Sequence, residues 1–323
     1  MVLPKLNNMY RASELFRTPK TETRWLIDKR VPYGSLTALV GESGVGKSTY
    51  LRQLAIAIAS GSKSFLNDRL NPIHKRVMYV STEDGMSFTR EALTKQLQIP
   101  EDAFDEYGIL IEEDERLRNM MFIFDNETII DALRLQLEIE DYDLIIVDAY
   151  SDIFEGDMNQ SNQVRKFLTA YSLLASEYDC AILFMHHFGK GIKTNDKHRI
   201  LGSSGFELKM RSVLSLSNND GKVHLQTIKN NYLDPKEAQM VYHLEMSDDL
   251  IFRVVDSFQK HESNTSGKNT KVYRLLNEFS NFLKNIKGGC LTYENSRKTL
   301  KEKHNFEVSV GTLKMAVDIY QED

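Results

Sequence analysis

The chain has little cysteine: Cys180 and Cys290 are the two cysteines in 323 residues, and they stand far apart without a C-x-x-C spacing. Neither a disulfide framework nor a zinc site is therefore indicated, and both residues are expected to be reduced thiols. The sequence also lacks an apolar run of the roughly 18 residues that a membrane span requires, and no apolar signal segment follows Met1. These absences predict a soluble, cytoplasmic protein with no membrane partner.

A surplus of basic residues is also lacking, because 41 Lys and Arg stand against 46 Asp and Glu, which gives a formal net charge of −5. Such a chain is not expected to coat nucleic acid with its whole surface, so any nucleic-acid contact should be regional. The 41% content of hydrophobic residues supports a sizeable core. The length suits one α/β domain of about 250 residues together with a small appendage.

The most informative motif present is a complete G-x-x-x-x-G-K-[ST] phosphate loop, which follows the apolar run 36–40 and precedes a helix-compatible stretch, 49–60. This strand, loop and helix context is the one that the motif requires. Its glycines let backbone N–H groups turn toward phosphate oxygens, Lys47 supplies a positive charge, and the Ser48 hydroxyl can ligate Mg²⁺. The candidate nucleotide-binding residues are Gly41, Glu42, Ser43, Gly44, Val45, Gly46, Lys47, Ser48 and Thr49. A guanine-specific N-K-x-D signature is absent, so ATP is expected rather than GTP.

Alternating strand and helix patterns predict an α/β domain over residues 31–258, with its last strand ending near Val255. Runs that indicate buried strands occur at 76–81, 121–124, 144–147 and 181–185, and helical periodicity occurs at 89–98, 128–140 and 161–178. This alternation indicates a mostly parallel sheet with helices on both faces. Strand-like segments at 213–216, 223–228 and 241–245 suit an antiparallel extension of the same sheet.

The two ends of the chain are expected to lie outside that domain. Residues 1–30 are mixed and polar, and we interpret them as an extension that packs on the core or on a neighbouring subunit. Residues 259–270 contain no large apolar side chain and indicate a linker. The remaining residues, 271–323, predict a small helical domain with helices at 271–286, 292–303 and 309–320.

The C-terminal domain is locally basic, since residues 266–303 contain nine Lys or Arg against three Glu. Three helices with this charge resemble a winged-helix or helix-turn-helix module, in which Val308-Ser309-Val310-Gly311-Thr312-Leu313-Lys314 would open a recognition helix with Ser309 as its N-cap. The alternative is a small helical bundle that contacts another protein, because no wing hairpin is visible before Asp323. A duplex DNA partner and a protein partner both stay open for this domain.

Two carboxylates are candidates for the chemistry of a nucleotide hydrolase. Asp148 ends the apolar strand 144–147, which is where phosphate-loop enzymes place the carboxylate that holds the metal, directly or through water. Glu83 follows the strand 76–81, at the edge of an α/β sheet where ligands bind. Asp84 is its rival, and we expect it to cap the next turn.

With these motifs the chain resembles the RecA-like ATPase group, and more narrowly the hexameric replicative helicases and plasmid RepA-type ATPases. The resemblance covers about residues 20–255 and does not extend convincingly to the C-terminal domain. In this group the strand after the phosphate-loop helix ends in a catalytic glutamate, which implies that Glu83 is the general base. It also implies a ring-shaped homo-oligomer, expected to be a hexamer, with Mg²⁺ and ATP as cofactors.

The resemblance further implies roles at the ends of two later strands. His187 ends a strand where this group places a polar sensor of the γ-phosphate, although a histidine there can also be a satisfied polar residue without such a role. Lys229 lies in a K-x-[RN] pattern through which one subunit reaches the next subunit's nucleotide. Asn231 stands where related helicases carry an arginine finger, and an amide cannot supply that charge. Arg211 or Arg199 is then the candidate substitute, unless basal turnover is slow.

Residues 188–199 are polar and basic and resemble the loop that RecA-like motors direct into a central channel to grip single-stranded DNA. The candidate nucleic-acid contacts are Lys190, Lys193, Lys197 and Arg199. The alternative is an ordinary surface loop. The leading hypothesis is therefore a ring-shaped DNA helicase or replication-associated motor. A clock-type ATP-regulated switch or scaffold and an ATP-gated DNA-binding regulator are the two alternatives.

Overall fold

The structure is a computed structural model that describes residues 11–17, 22–124, 129–187, 204–219, 221–233, 240–259, 275–276, 278–289, 291–304 and 306–320. The chain divides into two compact units, Met1–Lys260 and His261–Asp323. No helix in the described ranges is both long and apolar enough to cross a membrane. Of the predicted linker, residues 260–270 lie outside the described residues.

The first unit alternates strands and helices along most of its length. In chain order its strands are β1 (Trp25–Ile27), β2 (Val31–Pro32), β3 (Ser35–Gly41), β4 (Ser64–Phe65), β5 (Asp68–Arg69), β6 (Val77–Ser81), β7 (Met120–Ile123), β8 (Leu144–Asp148), β9 (Ala181–His187), β10 (Ser212–Asn219), β11 (Lys222–Asn230), β12 (Met240–Met246) and β13 (Phe252–Gln259). Its helices are α1 (Ala12–Leu15), α2 (Lys47–Ala59), α3 (Met86–Leu97), α4 (Glu115–Arg118), α5 (Ile129–Leu137), α6 (Tyr150–Ile153), α7 (Ser161–Glu177) and α8 (Ser204–Lys209).

A nine-stranded sheet in the order β13-β12-β11-β10-β3-β9-β8-β6-β7 forms the centre of this unit. The six strands from β10 to β7 in that order run parallel, and β11, β12 and β13 are antiparallel to their neighbours. The predicted fold class, a mostly parallel sheet with helices on both faces, is confirmed. The antiparallel extension begins one strand later than expected, because the chain crosses over through α8 and β10 then pairs parallel with β3.

Two apolar layers explain why the parallel strands are almost continuously hydrophobic. Leu144 and Ile146 of β8 face one layer together with residues of α2 and α3, while Ile145 and Val147 face the other layer with residues of α5 and α7. Side chains alternate between the two faces of a strand, so a strand buried on both faces needs apolar residues at every position. The carboxyl ends of the parallel strands thereby lie along one edge of the sheet, and the phosphate loop follows β3 at that edge.

Part of the predicted N-terminal extension belongs to this core. Leu26 and Ile27 of β1 are fully buried. The neighbouring Arg30 is also buried, and its guanidinium donates to Asp68 of β5 at 2.5 Å and to the Thr227 hydroxyl of β11 at 3.1 Å. A buried ion pair with these extra hydrogen bonds fixes the entry of the chain into the sheet.

The second unit contains α9 (Ser280–Lys287), α10 (Tyr293–His304) and α11 (Val310–Ile319) around its own apolar core. The predicted N-cap of the last helix is confirmed, because the Ser309 hydroxyl accepts a hydrogen bond from the Thr312 amide at 3.1 Å. The first predicted helix, 271–286, is interrupted at Phe279, whose ring stacks on Phe306. No strand occurs among the described residues of this unit, so a winged-helix identity stays a prediction.

Candidate active site

The phosphate loop connects the end of β3 at Gly41 to the first residue of α2 at Lys47. Gly44 and Gly46 have φ angles of +78° and +93°, in the left-handed region that favours glycine. A Cβ atom on Gly41 would lie 2.3 Å from the carbonyl oxygen of Leu216, so β10 passes too close for any other residue. The glycines are therefore required by the path of the loop, which starts a helix whose N-terminus suits an anion.

Lys47 is buried beneath this loop with 3% of its surface exposed, and its Nζ atom donates to the carbonyl oxygen of Glu42 at 2.7 Å. Burial lowers the pKa of Lys47 to about 8, and the negative charges of Glu83, Asp148 and Glu42 act in the opposite direction. A buried ammonium that lacks full compensation favours the arrival of further negative charge. This environment suits the binding of phosphate oxygens.

Asp148 ends β8 beside the loop and is 3% exposed. The Tyr79 hydroxyl donates to its Oδ2 atom at 2.5 Å, while Oδ1 is buried and has no hydrogen-bond partner among the described residues. Burial raises the pKa of Asp148, and Tyr79 and the neighbouring Ser48 hydroxyl act in the opposite direction. A free carboxylate oxygen beside a hydroxyl is a hard oxygen donor set, which fits Mg²⁺. The two predicted metal ligands, Ser48 and Asp148, would hold the ion there.

Glu83 and His187 meet at the same edge of the sheet. The Nε2 atom of His187, the last residue of β9, lies 2.8 Å from the Oε1 atom of Glu83, and both side chains are partly exposed. Strand register brings them together. Val147 of β8 is level with both Val80 of β6 and Phe184 of β9, and Glu83 and His187 each follow three residues later. The structure thus places the candidate base and the candidate sensor beside each other, close to the phosphate loop.

Thr82 fastens the strand ends that carry the two carboxylates. Its amide donates to the carbonyl oxygen of Asp148 at 2.8 Å, and its hydroxyl accepts from the amide of Ala149 at 2.9 Å. The peptide bond between Asp148 and Ala149 is cis. The two hydrogen bonds of Thr82 hold the segment that leads to Glu83 against the end of β8.

Asp84 does not cap the next turn, contrary to the expectation from the sequence. Its carboxylate pairs with the buried Arg52 of α2 at 2.9 Å, and α3 begins after Gly85 without a side-chain cap. The buried guanidinium requires a counter-charge, and Asp84 supplies it. Of the two adjacent carboxylates, Asp84 is bound to α2, whereas Glu83 contacts His187.

Lys229 and Arg211 lie near the first residues of β10, several positions before the level of the phosphate loop. Lys229 pairs with Val213, which is level with Ala38 of β3, and Arg211 comes just before that point on β10. At about 3.3 Å per residue, roughly 10 Å of strand separates this level from Gly41. The Nζ atom of Lys229 donates to the carbonyl oxygen of Glu207, and burial lowers the pKa of Lys229. A single chain therefore does not bring these two residues to its own phosphate loop.

The four candidate nucleic-acid contacts, Lys190, Lys193, Lys197 and Arg199, lie outside the described residues.

Several residues of the site did not stand out in the sequence. Phe252 packs its ring on the phosphate loop, such that a Cβ atom on Gly46 would lie 2.7 Å from it. The side-chain carbonyl oxygen of Gln53 on α2 accepts from the Phe252 amide at 2.8 Å, and the Gln53 side-chain amide donates to the Phe252 carbonyl oxygen at 2.9 Å. No local pattern indicates this contact, because β13 is at the far edge of the sheet. Tyr79 did carry a signal, since its hydroxyl interrupts an otherwise apolar run.

Comparisons with known proteins give a family match and similarity to solved structures, among them the two named below. The family model described as "AAA domain" (AAA_25) matches residues 7–192, more than half of the chain. No curated protein sequence matches the chain. The RadB recombinase structure is 14% identical over 70% of this chain and 93% of its own, with a TM-score of 0.47. A KaiC-like protein from the hyperthermophilic archaeon Pyrococcus horikoshii OT3 is 14% identical over 72% of this chain and 94% of its own, with a TM-score of 0.48.

Proposed function

The chain belongs to the AAA domain family, and from that premise we propose that it is a Mg²⁺-dependent ATP hydrolase that assembles into a ring and acts on DNA. Within this proposal it is a RepA-type replicative helicase or a replication-associated motor, and the ring is a hexamer. One observation supports the proposed hydrolase activity most directly: Lys47, Asp148 and Glu83 lie together at one edge of the sheet, close enough for both carboxylates to affect the pKa of Lys47. The N-terminus of α2 lies at the same place.

The residues of the chain divide the chemistry among them. Backbone N–H groups of the phosphate loop and the Lys47 ammonium bind phosphate oxygens. Glu83 accepts a proton from the attacking water, and His187 holds the Glu83 carboxylate in place until nucleotide binds. A bound Mg²⁺ ion would neutralise charge on the phosphates, with Ser48 and Asp148 as its protein ligands. Phosphoryl transfer depends mainly on such positioning and charge stabilisation.

The placement of Lys229 and Arg211 away from the phosphate loop of their own chain supports a site shared between subunits. A ring is built by a heterologous interface, in which one face of each subunit meets a different face of the next. That arrangement can bring Lys229 and Arg211 to the neighbour's phosphate loop. It would supply positive charge in trans, despite Asn231 in the place of an arginine finger.

The DNA part of the proposal depends on residues 188–199, which directly follow His187. Because His187 contacts Glu83, a change at the catalytic carboxylate reaches the start of this segment without an intervening element. The basic residues Lys190, Lys193, Lys197 and Arg199 would contact the phosphate backbone of single-stranded DNA. In this arrangement hydrolysis and DNA contact are coupled through one histidine.

Steady-state ATP hydrolysis with and without single-stranded DNA tests the proposal, with Lys47→Ala as the blank and particle size recorded in the same samples. Stimulation by DNA together with a ring-sized particle supports the motor. ATP-dependent assembly without a DNA effect would instead favour an ATP-regulated switch or scaffold. Binding of duplex DNA that is lost on truncation after residue 260 would favour a DNA-binding regulator.

A further inference from the structure

Tyr79 lies in the middle of β6 and is 1% exposed, with its hydroxyl directed at the carboxylate of Asp148. A buried tyrosine hydroxyl needs a hydrogen-bond partner, and a carboxylate is a strong one because the bond is charge-assisted. Tyr79 is level with Ile146 of β8, two residues before Asp148. Asp148 is therefore the diagonal neighbour of Tyr79 on the adjacent strand, and side chains two residues apart on a strand share a face of the sheet.

This hydrogen bond distinguishes the two oxygen atoms of Asp148. Oδ2 accepts from Tyr79, whereas Oδ1 is buried without a partner in the described part of the chain. The terminal torsion of an aspartate is soft, so the carboxylate plane is set by its hydrogen bonds rather than by its own rotamer preference. With Oδ2 bound to Tyr79, Oδ1 is the oxygen left for an external ligand.

The ring of Tyr79 is itself held in place. It stacks on Phe122 of β7 with ring centroids 5.2 Å apart, and Phe122 stacks on Phe124 with centroids 6.0 Å apart. Strand pairing places Tyr79 directly opposite Phe122. The buried Tyr79 ring therefore cannot turn its hydroxyl away from Asp148 without disturbing its stack on Phe122.

We propose that Tyr79 is a positioning residue that orients the Asp148 carboxylate so that Oδ1 faces the Mg²⁺ site. The proposal rests on the magnesium-dependent site described under the proposed function. Tyr79 acts through Asp148 and is not itself a ligand. Partners of this kind, which bind a metal ligand from behind, commonly change metal affinity by about 10- to 100-fold when they are removed.

The test is the affinity of the full-length protein for Mn²⁺ in the presence of ADP, measured from the electron paramagnetic resonance signal of free Mn²⁺. Tyr79→Phe removes the hydroxyl and keeps the ring, and about tenfold weaker Mn²⁺ binding is expected. The affinity of Tyr79→Phe for ADP, measured with EDTA to remove divalent metal ions, should equal that of the wild type. Tyr150→Phe is the matched control, because Tyr150 is equally buried and its hydroxyl has no partner among the described residues.

A double-mutant cycle separates positioning from a merely structural role. On an Asp148→Asn background, Tyr79→Phe should cause no further loss of Mn²⁺ affinity, because the carboxylate that it positions is gone. Folded Tyr79→Phe with wild-type Mn²⁺ affinity would overturn the proposal. If that variant does not fold, Phe122→Leu keeps the hydroxyl and loosens the ring. A severalfold loss of Mn²⁺ affinity is then expected, and an unchanged affinity overturns the proposal.

The same titration separates this proposal from the proposed function. Wild-type protein that binds no Mn²⁺ together with ADP would overturn the magnesium site itself, and the role of Tyr79 with it. Wild-type binding that Tyr79→Phe leaves unchanged overturns only the role of Tyr79.

Discussion

The Nε2 atom of His187 and the Oε1 atom of Glu83 are 2.8 Å apart, a contact that joins the end of β9 to the segment after β6. Burial lowers the pKa of Lys47, and the negative charge of Glu83 is one of the effects that oppose this lowering. The Glu83 carboxylate thus contacts His187 and also acts electrostatically on the lysine of the phosphate loop. The phosphates of a bound nucleotide would interact with the Lys47 ammonium, so the electrostatic environment of Glu83 is expected to change when nucleotide binds.

We expect Glu83→Gln to bind ATP normally and to lower turnover by about 10²- to 10⁴-fold, because an amide cannot accept the proton of the attacking water. ATP binding is measured by fluorescence of a labelled nucleotide and turnover by phosphate release. Asp84→Asn is the adjacent control and should keep turnover, since Asp84 pairs with Arg52. Normal hydrolysis by Glu83→Gln, or loss of hydrolysis only in Asp84→Asn, would show that the base is assigned to the wrong residue.

Lys47→Met should abolish ATP binding and yet stabilise the nucleotide-free protein. The pKa of Lys47 is lowered to about 8 in the folded chain, from 10.5. Between these values the unfolded chain binds more protons, so the free energy of unfolding rises with pH, by up to about 3 kcal/mol in total. Lys47→Met should remove that rise in denaturant titrations from pH 7.5 to 10.5, whereas the exposed Lys95→Met should keep it. If the free energy of unfolding rose equally with pH in both variants, the claim that burial of the Lys47 ammonium destabilises the folded protein would be contradicted.

His186 should make the protein sensitive to acid. It packs against the rings of Tyr150 and Phe206, and burial lowers its pKa to about 4, with smaller effects of His187 and Lys47. The unfolded chain binds more protons than the folded one between pH 6.5 and 4, so stability falls as the pH falls through this window, by up to about 3 kcal/mol. His186→Phe keeps a ring there and should lose less stability than wild type between pH 7 and pH 4.5. Parallel acid curves for the two proteins would argue against this assignment.

Phe252→Ala should weaken both folding and nucleotide binding. Phe252 is 2% exposed and packs on Gly46, so its loss leaves a cavity that costs about 3–5 kcal/mol and frees the start of α2. Phe258→Ala on the same strand is the control, because that ring is 45% exposed. Chemical denaturation and ATP titration are compared for both variants. Equal effects of the two substitutions would mean that the phosphate loop does not depend on β13.

Much of the site could be predicted because its signals are local. The phosphate loop has a fixed spacing, and the strand before Asp148 is apolar at every position because both faces of the sheet are covered. Parallel strands place their carboxyl ends at one edge, so Glu83, Asp148 and His187 could be expected to meet. The proximity of these three residues could be predicted from strand direction alone, without knowledge of individual side-chain contacts.

The contacts that the sequence did not reveal join residues far apart in the chain. Phe252 reaches Gly46 because the antiparallel strands bring β13 back to α2, and no periodicity encodes that distance. Asp84 was misassigned because its partner, Arg52, lies on another element. The side of the sheet to which Lys229 belongs also depends on strand direction, which became known only from the pairing of β10 and β11.

The central claim, a hydrolytic site completed by the next subunit, is tested most directly by mixing two inactive variants. Lys47→Ala lacks the phosphate-loop lysine and keeps Lys229, while Lys229→Ala has the opposite defect. If the sites are shared in a ring, random mixing should restore about a quarter of wild-type ATP hydrolysis, because some interfaces join an intact loop to an intact Lys229. Activity that stays at the level of the separate variants, in particles of unchanged size, would contradict the shared site.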